Sequence, residues 1–366
     1  MKISLSDGHT AANALLFILF NILMLPLWSQ EEYNHLMTIP PSEGPLEVRF
    51  GYAVLDITNI NGKEETIDFE GAIFMKWKDE RLAYQPADSL SNENFPYKVP
   101  ERLYQGALRI NQAYKGWFPV LYFPNGVGNR TITNQNIAVW PDGTVQYSEG
   151  FMVKAETPME MRPFPFDSQS LSLYIHPTPY TNRELVFVPD MSLSKNWEHG
   201  RGLTEWELEG DNVIERTLEI RVRDGGTIPI SEIMISLKVR RLPGHIIFRT
   251  ILPMILLVSL TWIVFWLDIK STMDRISILF IGILSVVAYD FVIQDYIPKI
   301  PYLTLIDVFV IENFLILVFS VIVTLITGWF FHNGKPDIGK KLNRISRWAF
   351  PASYVAIAII IYVVYT

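Results

Sequence analysis

Apolar and polar positions divide this chain into two regimes. Between residues 31 and 243, short runs alternate apolar with polar, as in Leu46-Glu47-Val48-Arg49-Phe50, Leu171-Ser172-Leu173-Tyr174-Ile175, Leu218-Glu219-Ile220-Arg221-Val222 and Ile233-Met234-Ile235-Ser236-Leu237-Lys238-Val239. A period of two predicts strands with one buried face. Asn61-Gly62, Asp142-Gly143 and Asp224-Gly225-Gly226 punctuate these runs as hairpin turns. Many short strands with such turns predict a β-sandwich, and no helical run there is long enough for an α/β fold. Beyond residue 243 the alternation stops. Apolar stretches at 246–267, 276–297, 303–331 and 348–365 are each close to or above the ~20 residues that cross ~30 Å of hydrocarbon. They predict four transmembrane helices over 244–366, with a short loop at 332–347.

The basic residues orient this bundle. Lys335, Lys340, Lys341, Arg344 and Arg347 lie between the third and fourth spans, whereas only Lys299 follows the second. The excess marks the cytoplasmic side, so the domain over 31–243 and the C-terminus are expected outside the cell membrane. The apolar stretch at 14–27, after Lys2 and before Trp28-Ser29-Gln30-Glu31, reads as a signal peptide over residues 1–30, with a retained anchor as the other reading.

One span carries a distinctive stripe. At about 100° per residue, Asp274, Ser277, Ile281, Leu284, Ala288, Phe291 and Asp295 share a helical face. An acid at each mouth of an apolar seam fits a cation pore, in which carboxylate rings select and a hydrophobic constriction gates. One helix encloses no water, so this reading requires several copies around an axis.

Further motifs make a resemblance specific. Phe164-Pro165-Phe166-Asp167-Ser168-Gln169 after Glu160 and Arg162, Trp117-Phe118-Pro119 with Asn125, Trp140-Pro141-Asp142-Gly143, and Pro253 in the first span resemble the pentameric ligand-gated ion channels, the Cys-loop receptor superfamily. The order of elements matches over nearly the whole mature chain. Thr157 and Leu171 stand where animal members carry the bridging cysteines, and the cytoplasmic connection is short, so the chain resembles prokaryotic members. Val287-Ala288-Tyr289 and Pro301-Tyr302-Leu303-Thr304-Leu305-Ile306-Asp307 are most similar to the amine-gated bacterial cation channel.

The resemblance implies an immunoglobulin-like extracellular sandwich on a four-helix transmembrane domain. It implies a homopentamer in the bacterial inner membrane that passes monovalent cations. Asp274, Ser277 and Asp295 are then the selectivity residues, and Ile281, Leu284, Ala288 and Phe291 the gate. Coupling falls to Ile60 in the first hairpin, to Phe164, Pro165, Phe166 and Asp167, to Lys299 and Pro301, and to Arg240 and Arg241, placed to meet Asp167 or Glu160. The positions of the aromatic agonist cage are Ala72, Tyr122, Thr178, Arg221 and Ile230. Only one is aromatic, and Arg221 favours a carboxylate over an ammonium. Tyr147, His176 and Tyr180 are further candidates for a small-molecule agonist site. Asp290, off the stripe, and Glu312, inside the third span, are candidate pH sensors, because carboxylates within a bilayer are costly and mark function.

Composition narrows the alternatives. A net charge of −7 and a pI near 5.5 give no basic face for nucleic acid. No cysteine is present, so the sandwich must hold without disulfides. The six histidines have no metal-ligand spacing, and no nucleophile elbow or phosphate loop occurs, so neither enzyme nor cofactor is expected. A non-conducting, membrane-anchored ligand sensor is the rival, but 332–347 is too short for its cytoplasmic effector.

Overall fold

The computed structural model describes residues 38–85, 102–194, 204–221 and 226–365, leaving aside the side chains of Asp211, Val213 and Arg221. The expected leader at 1–30, and Asp224 and Gly225 of the last expected turn, lie outside the described residues.

The strands are β1 (Leu46–Asn61), β2 (Thr66–Lys78), β3 (Arg102–Gln105), β4 (Val120–Tyr122), β5 (Thr131–Val139), β6 (Thr144–Glu156), β7 (Ser168–Thr178), β8 (Leu185–Pro189), β9 (Trp206–Arg221) and β10 (Thr227–Arg241), with a short helix α1 (Ala107–Ala113) between β3 and β4. They form a sheet of order β3-β5-β6-β2-β1-β8 and a smaller one of order β4-β7-β10-β9. The sheets close on each other because alternate residues point inward. Val145, Tyr147, Phe151 and Val153 of β6, Leu171, Leu173 and Ile175 of β7, and Ile233, Ile235, Leu237 and Val239 of β10 are all buried. Each large apolar side chain so buried contributes about 1.5–3 kcal/mol.

Two residues past β10 the chain enters the membrane half. Its helices are α2 (Gly244–Phe265), α3 (Thr272–Ile293), α4 (Leu305–His332) and α5 (Pro336–Tyr365), each long and apolar enough to cross a bilayer. The capping box of Thr304 and Asp307 starts α4. Two sequence expectations are corrected here. The second span, expected at 276–297, is displaced towards the N-terminus as α3, because Asp274 favours a helix start through the macrodipole and Pro298 stands just beyond the end. The loop expected at 332–347 is helical from Pro336 onward. Lysine and arginine are good helix formers, and proline suits a first helical position, so a polar segment that cannot span can still wind.

Candidate functional site: helix α3 and the sandwich–membrane junction

Helix α3 has two unlike faces. Arg275, Leu279, Gly282, Val286 and Ile293 are buried against the other helices. Gly282 is required by this packing, since a Cβ there would lie 2.7 Å from Thr261 Cγ2 on α2. The opposite face carries Asp274, Ser277, Ile281, Leu284, Ala288 and Phe291, all exposed in the single subunit. Ile281, Leu284 and Phe291 reach 64%, 68% and 67% exposure. An apolar seam of this extent, closed by a carboxylate at one end, fits a wall around a shared axis better than a surface against lipid. Ser277 Oγ donates to the Met273 carbonyl at 2.9 Å, which leaves its oxygen lone pairs on the same face.

Asp295 departs from the expected stripe. The helix ends at Ile293, so helical spacing no longer sets its direction, and its Oδ1 lies 2.8 Å from Lys63 Nζ in the β1–β2 turn. It therefore stands at the sandwich–membrane junction. Asp290 accepts a hydrogen bond from Gln294 at 2.7 Å. Glu312 is buried in the bundle, and neither of its carboxylate oxygens has a hydrogen-bond partner among the described residues. Its neighbour Asn313 donates to the Phe309 carbonyl at 2.6 Å and accepts from Tyr354 Oη of α5 at 2.9 Å.

At the junction the sandwich rests on the helices through the expected loops. Asp167 and Arg241 form a two-pronged ion pair at 2.7 and 3.2 Å, with the side chains 0% and 7% exposed. Gln169 donates to Asp167 at 2.7 Å, and the Arg241 guanidinium lies over the rings of Trp206 at 4.0 Å and Phe164 at 4.9 Å. Phe164 and Pro165 are buried, and Phe166 meets Tyr362 near the end of α5 edge-on at 5.6 Å. Arg162 lies 4.9 Å over the Tyr302 ring, and its carbonyl accepts from Leu305 N at 2.8 Å. Half-buried Ile60 packs against the core beside Gly62, where a Cβ would meet Met161 Cε at 2.9 Å. Lys299, Tyr302, Lys63 and Asp295 line a groove of about 1040 Å³ between the domains, with exposed Pro301 beside it. Arg240 does not meet Asp167 or Glu160. It pairs across the hairpin with Glu207 and Glu209 of β9, while Glu160 pairs with Arg162.

The expected agonist residues separate into two groups. Tyr122 and Thr178 are exposed at the β4–β7 edge, Ile230 is half-buried, and Tyr180 accepts from Trp117 Nε1 at 2.8 Å. Arg221 pairs with Thr227 at the top of the β9–β10 hairpin, with its side chain outside the described residues. Tyr147 and His176, by contrast, are interior. The Tyr147 ring stacks on Phe118 at 5.6 Å and its hydroxyl donates to Glu149, and burial pushes its phenol well above the usual range. His176 Nε2 lies 2.5 Å from Glu232 Oε2, and Arg216 takes the other oxygen. In the single subunit Tyr147 is thus enclosed, while the His176 ring lies 6.3 Å from that of exposed Tyr122.

Sequence reasoning also missed a cluster at the cytoplasmic base. Arg275 is fully buried, and its Nη2 donates to Asn343 Oδ1 on α5 at 2.6 Å. Asn343 Nδ2 and Arg347 Nε both donate to the Phe265 carbonyl at the end of α2, at 2.7 and 2.8 Å. The rarity of an arginine within a membrane span is the signal that would have found it.

Comparison with known proteins places these features. Residues 24–243 match the model of the neurotransmitter-gated ion-channel ligand binding domain, and residues 250–341 match that of the neurotransmitter-gated ion-channel transmembrane region. The chain is 26% identical over 339 residues to the proton-gated ion channel of Gloeobacter violaceus, covering 92% of this chain and 87% of the relative. It is also 26% identical over 310 residues to the gamma-aminobutyric acid receptor subunit beta-4 of Gallus gallus, covering 83% of this chain and 59% of that protein.

Proposed function

Because the chain belongs to the neurotransmitter-gated ion-channel family, we propose that it forms a homopentameric, cation-selective pore lined by α3. It is a multi-pass membrane protein whose ligand-binding domain is periplasmic, and it acts as a ligand-gated ion channel. One observation carries the cation reading: Asp274, Ser277, Ile281, Leu284, Ala288 and Phe291 form one exposed face of α3 while the other face is packed. Five copies of Asp274 around a mouth concentrate cations by focusing the field, and the apolar residues above exclude water when the bore is narrow. Asp274→Lys is expected to weaken or invert the preference for monovalent cations, read as reversal potentials in a salt gradient. Unchanged selectivity in that variant would sink the assignment.

Two readings of the stimulus have support. Arg221 near the hairpin top favours a small carboxylate, recognised by a charge-assisted, two-pronged hydrogen bond. Glu312, buried and without a hydrogen-bond partner among the described residues, favours a pH response, because any change in its protonation adds or removes a charge inside the bundle. The relative in Gloeobacter violaceus, which is called proton-gated, adds weight to the second. Arg221→Ala should abolish a carboxylate response and spare a pH response, and Glu312→Gln should do the reverse. If neither substitution alters any response, both mechanisms fail, and the exposed Tyr122 edge becomes the place to search.

A further inference from the structure

Asp274 and Arg275 are adjacent at the cytoplasmic end of α3, so each subunit brings one acid and one base to the same level of the pore. Five guanidinium groups beside five carboxylates would cancel the field that attracts cations. The structure separates the two charges: Asp274 is exposed on the pore face, and Arg275 is 0% exposed on the opposite one. Burying a guanidinium without a carboxylate is unfavourable, and Nε and Nη1 of Arg275 find no acceptor among the described residues. What holds it is the Asn343 side-chain oxygen at 2.6 Å. Asn343 is fixed in turn by its own amide, which donates to the Phe265 carbonyl at 2.7 Å, and by its burial in the bundle. Arg347 shares that carbonyl. Among the described residues, the Asn343 oxygen is therefore the one hydrogen-bond acceptor of the arginine side chain.

We propose that Asn343 is a positioning residue for ion selectivity, which keeps Arg275 out of the permeation path and leaves Asp274 to set the charge of the pore mouth. Helix α5 thereby controls what α3 presents to ions. The proposal rests on the reading of Asp274 as the selecting acid, and its test separates the two.

Reversal potentials of Asn343→Leu channels in a sodium chloride gradient are expected to report a several-fold fall in the cation-to-anion permeability ratio. The double variant Asn343→Leu with Arg275→Met is expected to recover the parental ratio. An unchanged ratio in conducting Asn343→Leu channels, or no recovery in the double variant, overturns the proposal. The expected shift is towards anions whatever the parental ratio is. A parental channel without cation preference therefore refutes the selecting role of Asp274 and still leaves the Asn343 shift to be measured. Where Asn343→Leu fails to assemble, single cysteines in this cysteine-free chain decide. A charged thiol reagent applied from the cytoplasmic side is expected to modify Asp274→Cys and to leave Arg275→Cys unmodified, and modification of Arg275→Cys at a similar rate overturns the proposal.

Discussion

Each end of the membrane domain buries an arginine, and the two are held in different ways. Arg241, at the outer end, has a two-pronged carboxylate, a neighbouring glutamine that steadies that carboxylate, and two aromatic faces. Arg275, at the inner end, has among the described residues one amide oxygen and a distant phenylalanine ring. A buried pair with its charges compensated makes a stiff joint, because moving either member strands the other. A buried charge held by a neutral acceptor sits closer to release. The contrast predicts a stiffer outer end and a more adjustable inner one.

The largest expected effect tests the stiff joint. Arg241→Gln strands Asp167 and should lower stability by about 3–5 kcal/mol, seen as a marked drop in thermal unfolding temperature together with loss of evoked current. A drop of under ~1 kcal/mol would rank this joint with surface pairs. Next comes the inner end: Asn343→Ala removes the single acceptor and should lower stability by about 1–3 kcal/mol, less than at the outer joint in the same assay. Equal losses at both ends would erase the contrast. The smallest effect belongs to Lys63 and Asp295, which are both exposed. A double-mutant cycle on Lys63→Ala and Asp295→Ala should give a coupling below ~1 kcal/mol that fades with added salt. A larger, salt-insensitive coupling would move this pair into the same class as Arg241 and Asp167.

Much of this arrangement was legible in the sequence wherever a single period governs the side chains. The alternation of β7 and β10 held, the residues expected on one face of α3 from Asp274 to Phe291 are all exposed, and Asp167 met Arg241 because the loop and the strand end flank the same junction. Tyr147 was legible in principle, since it shares parity with Val145 and Phe151, and parity puts it in the core. His176 was not. Its parity with Tyr174 and Thr178 points outward, and its contact with Glu232 on the neighbouring strand β10, together with the Tyr122 ring, covers it. Asp295 misled because a helical count was carried past the helix end. The polar start of α5 misled because hydropathy measures membrane affinity and is blind to winding.

Helix α5 runs unbroken past Pro351, from the base to the rim. Asn343, which retains Arg275, and Tyr362, which touches the Phe166 loop beside Arg241, stand 19 residues apart on that one rod. At 1.5 Å per residue that is roughly 28 Å, close to the ~30 Å thickness of the hydrocarbon layer. The spacing of the stiff joint and the adjustable one is therefore gauged by a strut cut to the width of the bilayer itself.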